Sequence, residues 1–133
     1  MSKQIVWIDD EHATIGLLVK PLQRAGYSLK RYRTYGEVME NLADVRQADL
    51  LIVDLIIPPG QANVEARYLG LELMKALRAA GLNQPMIVMS VVLHSSVRAA
   101  VQQIPGIAGF VNKTSPEPIE EELLNMVRDT IGS

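Results

Sequence analysis

The chain of 133 residues contains no cysteine, one tryptophan and one phenylalanine. Without thiols it has no disulfide, no thiolate chemistry and no cysteine-ligated zinc, and a reducing cytosol is the natural setting for such a chain. No stretch approaches the roughly 20 apolar residues of a membrane span. The N-terminus, Met-Ser-Lys-Gln, leads into a short apolar run that lacks the length and the small-residue cleavage site of a secretory signal. The expectation is a cytoplasmic protein with no membrane attachment. No block of Lys or Arg stands out against a net charge of −2. Direct nucleic-acid binding is therefore not expected, because affinity for a phosphate backbone needs clustered positive charge. Internal repeats, low-complexity tracts and linkers are lacking too, so residues 1–133 read as one domain, long enough to bury a core unaided.

What is present is a hydrophobic content of 48% against 21% charged residues, the balance of a globular domain and not of a disordered chain. Short apolar runs alternate with longer segments of helical period. The runs are Ile5-Val6-Trp7-Ile8, Leu50-Leu51-Ile52-Val53, Met86-Ile87-Val88-Met89 and residues 107–111. None shows a clear polar alternation, as expected of strands buried on both faces of a parallel sheet. A weaker run over 28–33 alternates more openly and reads as a strand near an edge.

Between the runs lie apolar stripes at three- and four-residue spacing. The first uses Ile15, Leu18, Leu22 and Ala25 and stops at Gly26. The second opens on Thr34 and Glu37, spaced as a capping box, and continues as one helix through Val38, Leu42 and Val45. The third runs from Leu69 through Leu73, Met74 and Leu77 to Gly81, and the fourth from Ser95 or Ser96 through Val97, Val101 and Ile104. In the fifth, Ser115 caps, Pro116 takes the first helical position, and Ile119, Leu123, Val127 and Ile131 form the buried face. Five strands alternating with five helices imply βαβ units, right-handed crossovers and an open α/β sheet covered on both sides. Trp7 and the methionines at 74, 86, 89 and 126 read as core filling.

In an open α/β sheet the functional crevice lies at the carboxyl ends of the strands. Four polar features fall there: Asp9-Asp10-Glu11 after the first strand, Asp54 after the third, Ser90 at the end of the fourth and Lys113 just past the fifth. Carboxylates brought together repel one another unless a cation intervenes. Oxygen ligands without His or Cys suit a hard ion, and Mg²⁺ is the usual one. Lys113 adds a point charge for an anion and Ser90 a hydroxyl donor. A carboxylate such as Asp54 is then placed to attack phosphorus and form an acyl phosphate, with metal, lysine and hydroxyl stabilising the charge. Singly, each feature has an ordinary explanation. The acidic triplet would be a favourable helix start, Asp54 a cap, Lys113 a solvated charge and Ser90 a strand-end hydroxyl. Together, in order and at strand ends, they point to chemistry. His12 and His94 have no metal-ligand spacing and read as surface or rim residues.

Over essentially its whole length the sequence resembles the receiver domains of two-component response regulators, the CheY-like superfamily. The matching pieces are Asp9-Asp10-Glu11, Asp54-Leu55-Ile56-Ile57-Pro58, Ser90, and Lys113 after Gly109-Phe110-Val111-Asn112. The resemblance implies a flavodoxin-like doubly wound (βα)5 fold with a five-stranded parallel sheet in the order 2-1-3-4-5. It makes Asp54 the phosphoacceptor and a metal ligand, Asp10 a direct Mg²⁺ ligand, Asp9 a ligand acting largely through water, and the Ile56 carbonyl a further one. Ser90 would bind a phosphoryl oxygen and Lys113 would pair with the phosphate. Phe110 falls at an aromatic switch position, within a partner-binding face formed by the fourth helix, fifth strand and last helix. Such a protein catalyses its own phosphorylation and dephosphorylation but acts mainly as a switch biased by phosphorylation. Its implied partners are a sensor histidine kinase or phosphotransfer protein, a downstream target or output domain, and a second copy in a phosphorylation-dependent dimer.

Three departures stand out. Gly70 best fills the place of a glycine that usually follows the Asp-x-x-x-Pro motif sooner, so about eight residues are inserted around 61–67, including Glu65 and Arg67. This segment reads as a partner-recognition element, a lid or a surface insertion of small cost. Val91 stands where the family often has Ala or Gly, narrowing access for the phosphodonor. Ile56 and Val92 occupy two positions that influence acyl-phosphate hydrolysis, and both are apolar, which predicts slow loss of phosphate. Among rival functions, a haloacid-dehalogenase-like phosphatase would need an Asp at position 56, and a flavodoxin would need a phosphate loop where the acidic triplet stands. A degenerate receiver that works only as a docking module is the remaining alternative.

Overall fold

A computed structural model describes residues 3–9, 12–55, 69–90, 95–113 and 118–132, with the backbone alone over 12–17. The apolar runs become strands β1 (Gln4–Ile8), β2 (Ser28–Tyr32), β3 (Leu50–Asp54), β4 (Met86–Ser90) and β5 (Ile107–Asn112). All pair in parallel, in the order β2-β1-β3-β4-β5. That is the doubly wound α/β sheet expected. Every residue of β3 and β4 is buried, whereas β2 at the edge buries only Tyr32 fully. The apolar runs of β1, β3 and β4 and the alternating run of β2 therefore mark burial on two faces and on one, as expected; the run over 107–111 does not, because β5 is the other edge strand and buries only Val111.

The pleat sends alternate residues of each central strand into two separate cores. Val6, Ile8, Leu51, Val53, Met86 and Val88 face one side, and Ile5, Trp7, Leu50, Ile52, Ile87 and Met89 face the other. Helices α2 (Tyr35–Glu40), α3 (Leu42–Arg46), α4 (Leu69–Ala79) and α5 (Ser95–Gln102) cover the first core through Val38, Val45, Leu73, Met74, Leu77 and Val101. Helices α1 (His12–Arg24) and α6 (Ile119–Ile131) cover the second through Leu18, Leu22, Leu123 and Val127. Trp7 is fully buried, as expected, although its indole N–H meets no acceptor among the described residues. Met74, Met86 and Met89 are core residues, and Met126 packs half-buried against the second core.

Two local expectations are corrected, and one irregularity is new. The second helical segment is not one helix but two, which makes six helices among the described residues. Asn41 leaves the helical region, and its side-chain amide donates to the Glu37 carbonyl at 2.7 Å. That local hydrogen bond competes with the helix ladder. The Thr34 cap is as expected, its hydroxyl accepting from the Glu37 amide at 3.0 Å. The last helix begins at Ile119, with extended Pro118 at its N-cap and not Ser115. The extended backbone at Pro118 cannot continue a helix, so the helix starts beyond it. Ser115 and Pro116 lie outside the described residues. Finally, β5 carries an irregularity: Met86 pairs with Ile107 and Ile87 with Gly109, leaving Ala108 extra. A side chain at Gly109 would strike the Met126 thioether, so α6 packs directly on the β5 backbone there.

Candidate functional site

Among the described residues Asp9, Asp54 and Ser90 are polar residues buried as whole residues, backbone included. All three lie at the carboxyl ends of strands: Asp9 one residue past β1, Asp54 last in β3, Ser90 last in β4. A buried carboxylate is costly without a partner, and both carboxylates share one. The Lys113 ammonium, on the residue that follows β5, lies 2.9 Å from an Asp9 oxygen and 2.6 Å from an Asp54 oxygen. The three side chains are 4%, 1% and 5% exposed, respectively. Lys113 thus reaches past the end of β4 to join the ends of β5, β3 and β1 in one charge-assisted cluster.

The backbone sets up this reach. The Lys113 amide donates to the Ser90 carbonyl at 3.0 Å, continuing the β4–β5 ladder one step beyond the strand. Leu55 does the same from β3, donating to Met89 at 3.0 Å. Burial alone would push the Lys113 ammonium toward neutrality. The hydrogen bond and charge of Asp54, followed by those of Asp9, outweigh that effect and raise its pKa above the ordinary value. The cluster therefore holds one firmly protonated cation between two acceptor groups.

Of two further features, one was not read from the sequence and the other only as a glycine in the family's place. Asp9 is held by the edge strand β2: its amide donates to the Tyr32 carbonyl at 3.1 Å, and its carbonyl accepts from Arg31 Nε at 3.1 Å. The only signal was a charged residue on the half-buried phase of an edge strand. The second is a close approach. Gly70, in the first turn of α4, donates its amide to the Leu55 carbonyl at 3.0 Å. A methyl group there would sit 2.1 Å from the Asp54 carbonyl oxygen. The glycine lets α4 lie on the backbone at the end of β3 without a gap, as only a residue lacking Cβ allows.

The expected site residues thus divide in two. Asp9, Asp54, Ser90 and Lys113 come together at one rim. Asp10, Glu11, Ile56, Val91, Val92, His94 and the segment 61–67 lie outside the described residues, as does the side chain of His12. Phe110 is half-buried against the first core, with the Arg98 guanidinium 5.1 Å from its ring centre. The donor set suits a hard cation: two buried carboxylates at the ends of adjacent strands, with no imidazole or thiolate beside them among the described residues. The described residues alone contain no group of three potential ligand residues, so Asp9 and Asp54 would be the described part of any metal site. Among the described residues no helix is long and apolar enough to cross a membrane.

No family model matches the sequence, and no curated protein does. Solved structures do match. A signal receiver domain of a two-component histidine kinase from Clostridium thermocellum superposes with a TM-score of 0.81, over 100% of both chains, at 18% identity. A CheY-like response regulator receiver domain protein from Methanospirillum hungatei JF-1 gives 0.75 over 98% of this chain and 94% of its own, at 20% identity. The BeF3-activated N-terminal receiver domain of Klebsiella pneumoniae RstA gives 0.76 over 98% and 100%, at 17% identity. Sequence agreement at this level speaks for architecture and not for activity. By sheet order, helix placement and superposition over nearly its entire length, the chain has the fold of the CheY-like receiver domains of response regulators.

Proposed function

We propose that this protein is a phosphoacceptor receiver domain in which Asp54 takes a phosphoryl group from a phosphohistidine of a sensor kinase or phosphotransfer protein. The observation that carries the reading is the convergence of the buried side chains of Asp54, Asp9, Ser90 and Lys113 at one rim of a receiver fold. An Asp54 carboxylate oxygen attacks phosphorus, an O–P bond forms, the N–P bond to the donor imidazole breaks, and the imidazole nitrogen takes up a proton. The product is an acyl phosphate on Asp54.

Lys113 is already within hydrogen-bond reach of Asp54 and remains protonated there, so it can follow the charge from carboxylate to phosphoryl oxygen without moving far. Ser90, at the end of the neighbouring strand, would offer its hydroxyl to another phosphoryl oxygen. Asp9 and Asp54, with Asp10 and the Ile56 carbonyl, would hold Mg²⁺, which when bound supplies a positive charge for the transferring oxygens. Phe110 and the face formed by α5, β5 and α6 would carry the change to a protein partner.

The test is to incubate the protein with Mg²⁺ and a small acyl-phosphate donor and record its intact mass beside Asp54→Asn. One added phosphoryl group, absent from the variant and absent without Mg²⁺, is the expected result. No modification, even with candidate kinases supplied, would replace this reading with that of a docking module.

A further inference from the structure

Asp9 is gripped from one side by β2 through both of its backbone groups. Its amide donates to Tyr32 and its carbonyl accepts from the Arg31 side chain, each at 3.1 Å. The carboxylate of the same residue points the other way, to Lys113 at 2.9 Å. Arg31 stands in register beside Trp7 on the β1–β2 ladder, on the half-buried phase of the edge strand, whereas its neighbour Lys30 lies exposed and pairs with Asp44 at 3.1 Å. A packing role would be met by any long apolar side chain at position 31. The guanidinium instead directs Nε at a backbone carbonyl, the one that begins the peptide group leading to Asp10.

We propose that Arg31 is a positioning residue for a divalent-cation site at the end of β1, fixing the Asp9 carbonyl and with it the direction from which Asp9 faces the ion. The proposal rests on the receiver reading of this site. It assigns Arg31 no contact with the ion or with phosphate.

Charge and geometry make opposite predictions here, so the two are separable. Considered only as a positive charge near a cation site, Arg31 weakens metal binding, and its removal would tighten it. Considered as an outer hydrogen-bond donor that orients a ligand-bearing strand end, its removal weakens binding by roughly 10- to 100-fold. Arg31→Lys keeps the charge and most of the aliphatic stem but loses the planar fork that fixes the donor direction. The expected order of Mg²⁺ affinity is therefore wild type, then Arg31→Lys, then Arg31→Met.

The experiment is a calorimetric titration of the three proteins with MgCl₂ at constant ionic strength, with Trp7 emission and circular dichroism confirming that each is folded. A fall of about tenfold or more for Arg31→Met, with Arg31→Lys also weakened, is the predicted outcome. Should Arg31→Met not fold, the lysine variant still decides the matter. Unchanged or tighter Mg²⁺ binding by either folded variant overturns the proposal. Absence of Mg²⁺ binding by the wild type would instead undo the receiver reading on which it rests.

Discussion

Replacing Lys113 by methionine removes a cation from between two buried carboxylates while nearly conserving volume. Both acceptor oxygens lie within one hydrogen bond of the same nitrogen, so they stand within two hydrogen-bond lengths of each other. At that separation, and with an effective dielectric constant near 20, two carboxylates repel by about 3 kcal/mol. Breaking a buried pair by deleting one partner generally costs about 3–5 kcal/mol, because the partner's desolvation is no longer offset. We expect Lys113→Met to lose a similar amount in EDTA at pH 7. For a chain of this length that corresponds to a fall in Tm of roughly 10–20 °C.

The pH dependence carries the sharper test. Lys113 has a raised pKa, so its contribution is fully present below the ordinary value of 10.5 and is lost only as pH rises through the folded-state value. Between pH 5 and 8 the lysine itself does not titrate, so the gap between variant and wild type should persist across that window and close only as pH rises through the folded-state value of Lys113. Urea unfolding followed through Trp7 emission measures it. A variant within about 1 kcal/mol of wild type at pH 7, or a gap that stays constant as pH is raised through the lysine range, would refute the ion-pair argument.

The remaining predictions are simpler. Gly70→Ala forces the first turn of α4 away from the Asp54 carbonyl; a loss of about 1–3 kcal/mol and a reduced yield of phosphorylated protein are expected from thermal unfolding and intact mass. Arg78 donates to the Leu82 and Pro105 carbonyls at 2.7 and 2.9 Å. Arg78→Met should cost about 2–3 kcal/mol in urea without changing phosphorylation by a small donor, because this contact lies at the opposite end of β4 and β5. The apolar residues Ile56 and Val92 lead us to expect slow loss of the acyl phosphate, accelerated in Ile56→Asn; a time course of the phosphorylated mass checks both.

The sheet was legible because β-branched and other apolar residues fill β1, β3 and β4 without a polar interruption. The rim was legible because Asp9, Asp54, Ser90 and Lys113 each fall where such a run ends. The break at Asn41 was not, since Val38, Leu42 and Val45 keep helical spacing straight through it; a single side-chain hydrogen bond decided against the stripe. Lys113 was expected opposite a phosphate, and its bonds to both carboxylates follow from depth, which sequence does not report. Arg31 was missed because an edge strand tolerates charge on either phase, and only the third dimension shows which carbonyl it meets. The irregularity at Ala108 leaves no mark in composition at all.

The two cores lie on opposite faces of one pleated sheet, and among the described residues their buried side chains form separate clusters. Energetic coupling between substitutions requires shared neighbours. Leu73 and Val101 can therefore drift together, as can Leu18 and Val127, while changes across the sheet should combine additively. The chain behaves as two mutational compartments separated by a backbone partition. Where the partition ends, at the strand termini, Lys113 and its carboxylates form a place through which epistasis between the faces can pass.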